Sequence, residues 1–311
     1  MNEFELIASV PDMQKLLWAS RSEREKLQKL GLNVVPANFY SSIPSISEIL
    51  ESYEYHESAP PYLDARIFDA SRLYKNLVAL LPYSADFEPI EHDNEKTCRR
   101  FFWKNSQFSY SDAMSYYAYL RQIKPRKVVE IGSGFSSLIA IEALQANGFG
   151  TLTCIEPYPR PFISALGSEG ALDLRAVRAQ DLTPEMLNTM LEDGDVLFID
   201  STHTVKTGSD CVHIYLRLLP NLTKRVLIHV HDIFLPFGMP QKWLLDTHIY
   251  WTEQYLLMAW MIDNLRVTLL YGSAYHDHFN GELLQGLMRG RYQRGGSSFW
   301  IQYDGSMGAF S

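Results

Sequence analysis

The chain has 311 residues, 46% of them hydrophobic and 21% charged. That length and composition exclude a disordered or fibrous chain and predict one large domain, or a catalytic domain of about 200 residues with an appendage. Lys and Arg number 28 against 36 Asp and Glu, a net charge of −8 with the basic residues scattered. Nucleic acid and anionic membrane surfaces are therefore poor partners.

The three cysteines, Cys98, Cys154 and Cys211, form no CxxC pair, which fits a reducing compartment. The first five residues, Met1 to Glu5, are acidic where a secretion signal needs a basic start. No run approaches the ~18 to 20 apolar residues of a membrane helix. The expectation is a cytoplasmic protein.

In chain order, helical spacing over 13–30 and 64–81 is interrupted by Pro36, Pro44, Pro60, Pro61 and Pro82. Residues 1–105 thus read as a helical N-terminal cap that shapes a substrate site or an oligomer interface. From 106 to 311, apolar runs alternate with amphipathic ones, the pattern of a parallel sheet covered by helices. Strands are expected at 127–131, 151–155, 174–177, 195–199, 225–230, 266–271 and 298–303. Ser136-Ser137 opens a helix over 138–146, and Thr183 caps one whose first residue is Pro184. Further helices are expected over 212–219 and 252–265. Gly295-Gly296 before the last strand predicts an antiparallel final hairpin. The fold class is α/β, a doubly wound, seven-stranded, mostly parallel sheet.

The most informative segment is Val128-Val129-Glu130-Ile131-Gly132-Ser133-Gly134-Phe135-Ser136-Ser137. A buried strand runs into two glycines and a helix start, where free N–H groups and close backbone approach favour a nucleotide. Glu156 ends the second strand, where a ribose diol would lie. Ser137 replaces the third glycine of the dinucleotide motif, and Glu130 precedes the first. A pyrophosphate has no use for that carboxylate, whereas a cationic cofactor does. Asp181 closes the third strand region and can accept from an adenine amino group.

On these residues the chain resembles the class I S-adenosylmethionine-dependent methyltransferases, and more narrowly the bacterial group called methyltransferase domain 24. The resemblance runs from about residue 102 to 303. It includes Phe198-Ile199-Asp200-Ser201-Thr202-His203 and His231-Asp232-Ile233-Phe234. It implies that Glu130, Gly132 and Gly134 cradle the methionine end of S-adenosyl-L-methionine. Glu156 would hold the ribose and Asp181 the adenine, with Ser133, Ser136, Pro157 and Asp200 completing the cofactor contacts. Tyr110, near a helix start, is a candidate lid over the methionine.

Asp200 to His203 and His229 to Asp232 fall at the ends of the fourth and fifth strands. Open α/β sheets place ligands at such ends. The pattern resembles the divalent-metal-dependent catechol-type O-methyltransferases, with His203 in place of a lysine base and His231-Asp232 in place of Asp-Asn. That resemblance implies a metal at Asp200, His231 and Asp232, and a catalytic base at His203. An Asp/His/Asp set suits manganese, iron or zinc at least as well as magnesium. In the alternative, His231 and Asp232 only shape a metal-free pocket, and His203 is a polar loop residue. His229, inside the strand, reads as a core histidine.

His276-Asp277-His278 reads as a solvated loop, with lending a ligand or contacting substrate as the alternative. Trp243, Trp251, Tyr255 and Trp260 either wall an acceptor pocket or pack the core. The resulting expectation is O-methylation of a small-molecule or saccharide acceptor, by a chain that can form a homo-oligomer. Methylation at carbon or nitrogen and a non-catalytic binding protein remain the alternatives.

Overall fold

The computed structural model describes residues 15–307; residues 1 to 14, including the acidic start and the first part of the expected helix over 13–30, lie outside the described residues. The strands are β1 (Lys127–Ile131), β2 (Thr151–Ile155), β3 (Asp173–Arg175), β4 (Val196–Ile199), β5 (Arg225–Val230), β6 (Val267–Gly272) and β7 (Phe299–Asp304). They form one sheet in the order β3-β2-β1-β4-β5-β7-β6. β1 to β5 are mutually parallel. β7 is antiparallel to both neighbours, wedged between β5 and β6. The mostly parallel sheet and the reversed final strand agree with the expectation. Three strands match it residue for residue, whereas β3 is shorter, begins at Asp173 and pairs only with β2.

Helices cover both faces. α1 (Arg21–Lys29), α2 (Ile46–Glu51), α3 (Tyr53–His56) and α4 (Ala70–Leu80) precede the sheet. They are followed by α5 (Tyr110–Ile123), α6 (Phe135–Asn147), α7 (Pro161–Ser168), α8 (Pro184–Met190) and α9 (Asp210–His213). α10 (Gln241–Asp246), α11 (Glu253–Met261), α12 (Ser273–Phe279) and α13 (Gly281–Leu287) complete the set. Thr183 caps α8 as expected, accepting from the Met186 N–H. α6 starts before the expected serines and ends at Gly148, whose φ of +79° lets the chain leave the helix. The helix expected over 212–219 is α9 continuing into a π turn, Ile214–Leu218.

The pleat sends alternate strand residues into two cores. Val128, Cys154, Val196, Phe198 and Trp300 pack with Tyr116, Leu138 and Ile139 of α5 and α6. Val129, Ile131, Ile155, Leu197, Ile199 and Val230 pack with Leu187, Ile214, Leu218 and Leu257 on the other side. Not all of the expected cap stands apart from the sheet. Within α4, Arg72 Nε and Asn76 Nδ2 donate to the Leu269 and Leu270 carbonyls of β6, at 2.9 and 3.0 Å. The segment 276–278 corrects the solvated-loop expectation. It lies in α12 with His276 fully buried, and burial pulls its pKa down to about 3.

Candidate active site

The ends of β1 and β4 meet through glycine. Gly132 has a φ of +89°, and a Cβ there would lie 1.9 Å from the Asp200 carbonyl oxygen. A side chain at 132 would force the two strand ends apart. The turn is tied by Gly132 N–H to Ile155 O at 3.0 Å and by Asp200 N–H to Ile131 O at 2.9 Å. Gly134 differs: apart from its chain neighbours, no atom of the described residues lies within 4 Å of its would-be Cβ, so the backbone opens onto space.

That space is a cavity of about 730 Å³. Ser133, Gly134, Ser136 and Glu156 wall one end, and Asp200, His203, His231 and Asp232 the other. Ser133 N–H donates to Glu156 at 3.3 Å, and Tyr158 N–H to its other oxygen at 2.8 Å. The Ser133 hydroxyl is buried and has no partner among the described residues. An unsatisfied hydroxyl in a cavity wall is a place for a ligand atom.

Several expected cofactor residues lie elsewhere. Glu130 shares the pleat face of Val128, so its side chain enters the core under α5 instead of the cavity. It is fully buried, accepts from Tyr116 Oη at 2.9 Å and from the Ser137 hydroxyl, and burial pushes its pKa up to about 7. Asp181 lies outside the cavity wall, its carboxylate held at 2.7 Å by Arg178. Neither Gly132 nor Pro157 lines the cavity. Tyr110 does not line this cavity. It lines a second cavity of about 450 Å³ that meets the first at His231, Asp232 and Trp243.

The end of the cavity at β4 and β5 is a dense charge cluster. One ligand atom from each of Asp200, His231 and Asp232 lies within 4.8 Å of the others. His231 Nδ1 is 3.4 Å from Asp200 and 3.6 Å from Asp232, without a hydrogen-bond partner among the described residues. His203 Nε2 lies 3.2 Å from Asp200 and 3.6 Å from Asp232. Its Nδ1 contacts Glu253 at 2.8 Å, and Glu253 also accepts from Tyr215 at 2.9 Å. His203 and Asp232 both sit in left-handed backbone, with φ of +56° and +57°. Such strain in non-glycine residues costs energy and gathers at functional sites.

Burial opposes charge on both histidines, but the carboxylates outweigh it. His203 is carried up to about 10 by Asp200 and Glu253, and His231 is raised by Asp232 and Asp200. Burial likewise pushes against an ionised Asp200, yet His231 and His203 hold its carboxyl well below the ordinary range. His229, two residues before His231, is the core histidine expected. It stacks on Trp300 at 4.3 Å, meets the Ser298 hydroxyl at 2.8 Å, and burial holds it neutral.

The aromatic cluster divides. Trp243 and Trp251 wall the main cavity, with Trp251 4.4 Å from the His203 ring. Tyr255 bonds Glu54 at 3.0 Å, and Trp260 stacks on Tyr303 in the core. Asp112 and Glu253 support the two site histidines from α5 and α11, and sequence reasoning missed both. No local pattern marks them, because each is found only by knowing which helix packs behind which strand end.

Residues 129–233 match the family model Methyltransf_24, described as a methyltransferase domain. An uncharacterized protein of Archaeoglobus fulgidus is 27% identical over 178 residues, covering 56% of this chain and 76% of that protein. Among solved structures, the O-methyltransferase TomG of Streptomyces achromogenes, in complex with S-adenosylmethionine, is 16% identical with a TM-score of 0.40. That similarity covers 62% of this chain and 78% of that one. An O-methyltransferase of Bacillus cereus is 12% identical with a TM-score of 0.39, covering 74% and 90% respectively. By the match over 129–233, this chain carries a methyltransferase domain, set in a seven-stranded sheet with a glycine turn after β1.

Proposed function

We propose that the protein moves a methyl group from S-adenosylmethionine to a hydroxyl of a small-molecule or saccharide acceptor, in the cytoplasm and with help from a divalent metal. The observation that carries this reading is the two-ended cavity. A glycine turn and Glu156 stand at one end, and a carboxylate–histidine cluster with an unpartnered His231 Nδ1 stands at the other.

The donor end fits the cofactor in its chemistry. Glu156, in the cavity wall, would accept from a ribose diol, and Gly134 leaves room for close approach. S-adenosylmethionine supplies an electrophilic methyl, so alignment of the acceptor provides much of the rate. The reaction end fits a metal, since two carboxylates and an imidazole nitrogen face one space. A divalent cation held by Asp200, His231 and Asp232 would acidify an acceptor hydroxyl. A cation bound there would offset the carboxylates that hold His203 protonated, and its Nε2 would then take the hydroxyl proton, with Glu253 stabilising the resulting charge at Nδ1. The second cavity, reached past His231 and Asp232, is where the acceptor would lie.

Calorimetric titration with S-adenosylhomocysteine, run beside NADH, tests the reading. Binding of S-adenosylhomocysteine alone is expected, and binding of NADH alone would end it. Transfer of labelled methyl into a small-molecule extract then tests the base. His203→Gln should lower turnover with S-adenosylhomocysteine affinity unchanged. Full turnover in that variant would move the acceptor atom to carbon or nitrogen.

A further inference from the structure

His231 has two ring nitrogens, and their surroundings differ. Nδ1 faces Asp200 and Asp232 without a hydrogen-bond partner, while Nε2 lies 3.3 Å from Asp112 Oδ2. Asp112 sits in the first turn of α5, far from β5 in sequence, and is itself buried. Its carboxylate accepts from Ser297 N–H at 2.9 Å, Ser298 N–H at 2.8 Å and Ser273 Oγ at 2.8 Å. Gly296 lets it pack this closely, because a Cβ at 296 would lie 2.4 Å from Asp112 Oδ1. Three donors and a close backbone fix both carboxylate oxygens.

With its oxygens already accepting from three donors, Asp112 meets His231 as a fixed acceptor. With a cation in place of the proton that Asp200 and Asp232 otherwise favour on Nδ1, the shared proton stays on His231 Nε2 and the Nδ1 lone pair serves the space between the two carboxylates. We propose that Asp112 is a positioning residue: it fixes the His231 tautomer and ring orientation so that Nδ1 is the metal-binding atom. This rests on the reading that Asp200, His231 and Asp232 hold a divalent cation. It adds a carboxylate behind the histidine, an arrangement that raises ligand basicity and orients the ring.

The same contacts join the metal end to the wall of the second cavity. Ser297, whose N–H fixes Asp112, also donates its hydroxyl to Asp232 Oδ1 at 2.8 Å. One residue of the approach to β7 therefore orients two of the three ligands, one directly and one through Asp112.

The test uses the full chain, stripped of metal by chelation and titrated calorimetrically with Mn²⁺. Asp112→Asn keeps the shape but removes the charge, and should weaken Mn²⁺ binding about 10- to 100-fold. S-adenosylhomocysteine affinity should stay within about twofold of wild type, since Asp112 lies outside the donor end. Equal Mn²⁺ affinity in wild type and Asp112→Asn overturns the inference while leaving the metal in place. No Mn²⁺ binding by wild type overturns the metal reading as well. Should the variant fail to fold, long-range ¹⁵N–¹H correlations of wild-type protein loaded with Zn²⁺ decide. A proton on His231 Nε2 and none on Nδ1 is expected, and the reverse tautomer overturns the proposal.

Discussion

The two ends of the main cavity are built on different plans. The donor end is mostly backbone: a turn of positive φ, an open Gly134 and one carboxylate that is tied only to nearby N–H groups. The reaction end is mostly side chain, with each histidine held from behind by a buried carboxylate on another element. A backbone site is carried by a short stretch of chain and tolerates change around it. A side-chain site depends on distant residues, and its failures should spread through the supports.

The strongest way to break that contrast is at the point where the ends touch. Gly132→Ala forces a Cβ to within 1.9 Å of the Asp200 carbonyl at a φ of +89°. Strain and overpacking together should cost on the order of 3 kcal/mol, read by urea denaturation. Both ends should fail together, with S-adenosylhomocysteine and Mn²⁺ binding lost in parallel. Loss of one ligand alone would show the ends to be independent.

A second prediction concerns Glu130, which underlies the donor end without lining it. Its pKa is raised from 4.5 to about 7 in the folded chain, so ionisation favours the unfolded state. Its contribution to stability is complete below about pH 4.5 and is lost as pH rises through 7. The loss approaches the order of 3 kcal/mol in the alkaline range, since each unit is worth about 1.4 kcal/mol. Glu130→Gln should therefore flatten the fall in melting temperature between pH 5 and 8, as seen by calorimetry. An unchanged pH slope would mean that the carboxylate does not titrate in that window.

At the reaction end, Asp200→Asn should reduce bound metal from about one ion per chain to none by elemental analysis, with Mn²⁺ affinity down more than about 100-fold. S-adenosylhomocysteine binding should survive. At the donor end the effects are smaller. Glu156→Ala should weaken S-adenosylhomocysteine at least about tenfold, or 1.4 kcal/mol, by titration. Asp181→Ala should change it by less than about twofold, because Asp181 is an exposed residue already paired with Arg178. A tenfold loss there would restore it to the adenine site.

How much could be read in advance follows the same division. Strand 127–131 is a contiguous feature and stands where expected, and of the motif residues after it Gly134 and Glu156 line the cavity. Asp200, His203, His231 and Asp232 were legible because strand ends in a parallel sheet converge. Glu130, expected at the methionine end, does not line the cavity. The motif marks its position, but the pleat sends it to the face of Val128. Tyr110 was assigned by closeness in sequence, and the packing of α5 carries it to the second cavity instead. The burial of His276 follows from α12, a short helix whose pattern was read as a loop. Asp112 and Glu253 leave no local trace at all, since their meaning lies in contacts across the chain.

The wedging of β7 between β5 and β6 has a consequence for how the molecule comes into being. Asp112 takes its fixing donors from Ser297 and Ser298, 185 and 186 positions later. A ribosome that has made the donor end has not yet made the groups that lock His231. The growing chain must keep a gap beside β5 until the final strand arrives to fill it, and closing so long a loop is a late, slow step. The contacts that fix Asp112 behind His231 therefore form only once the last strand is inserted.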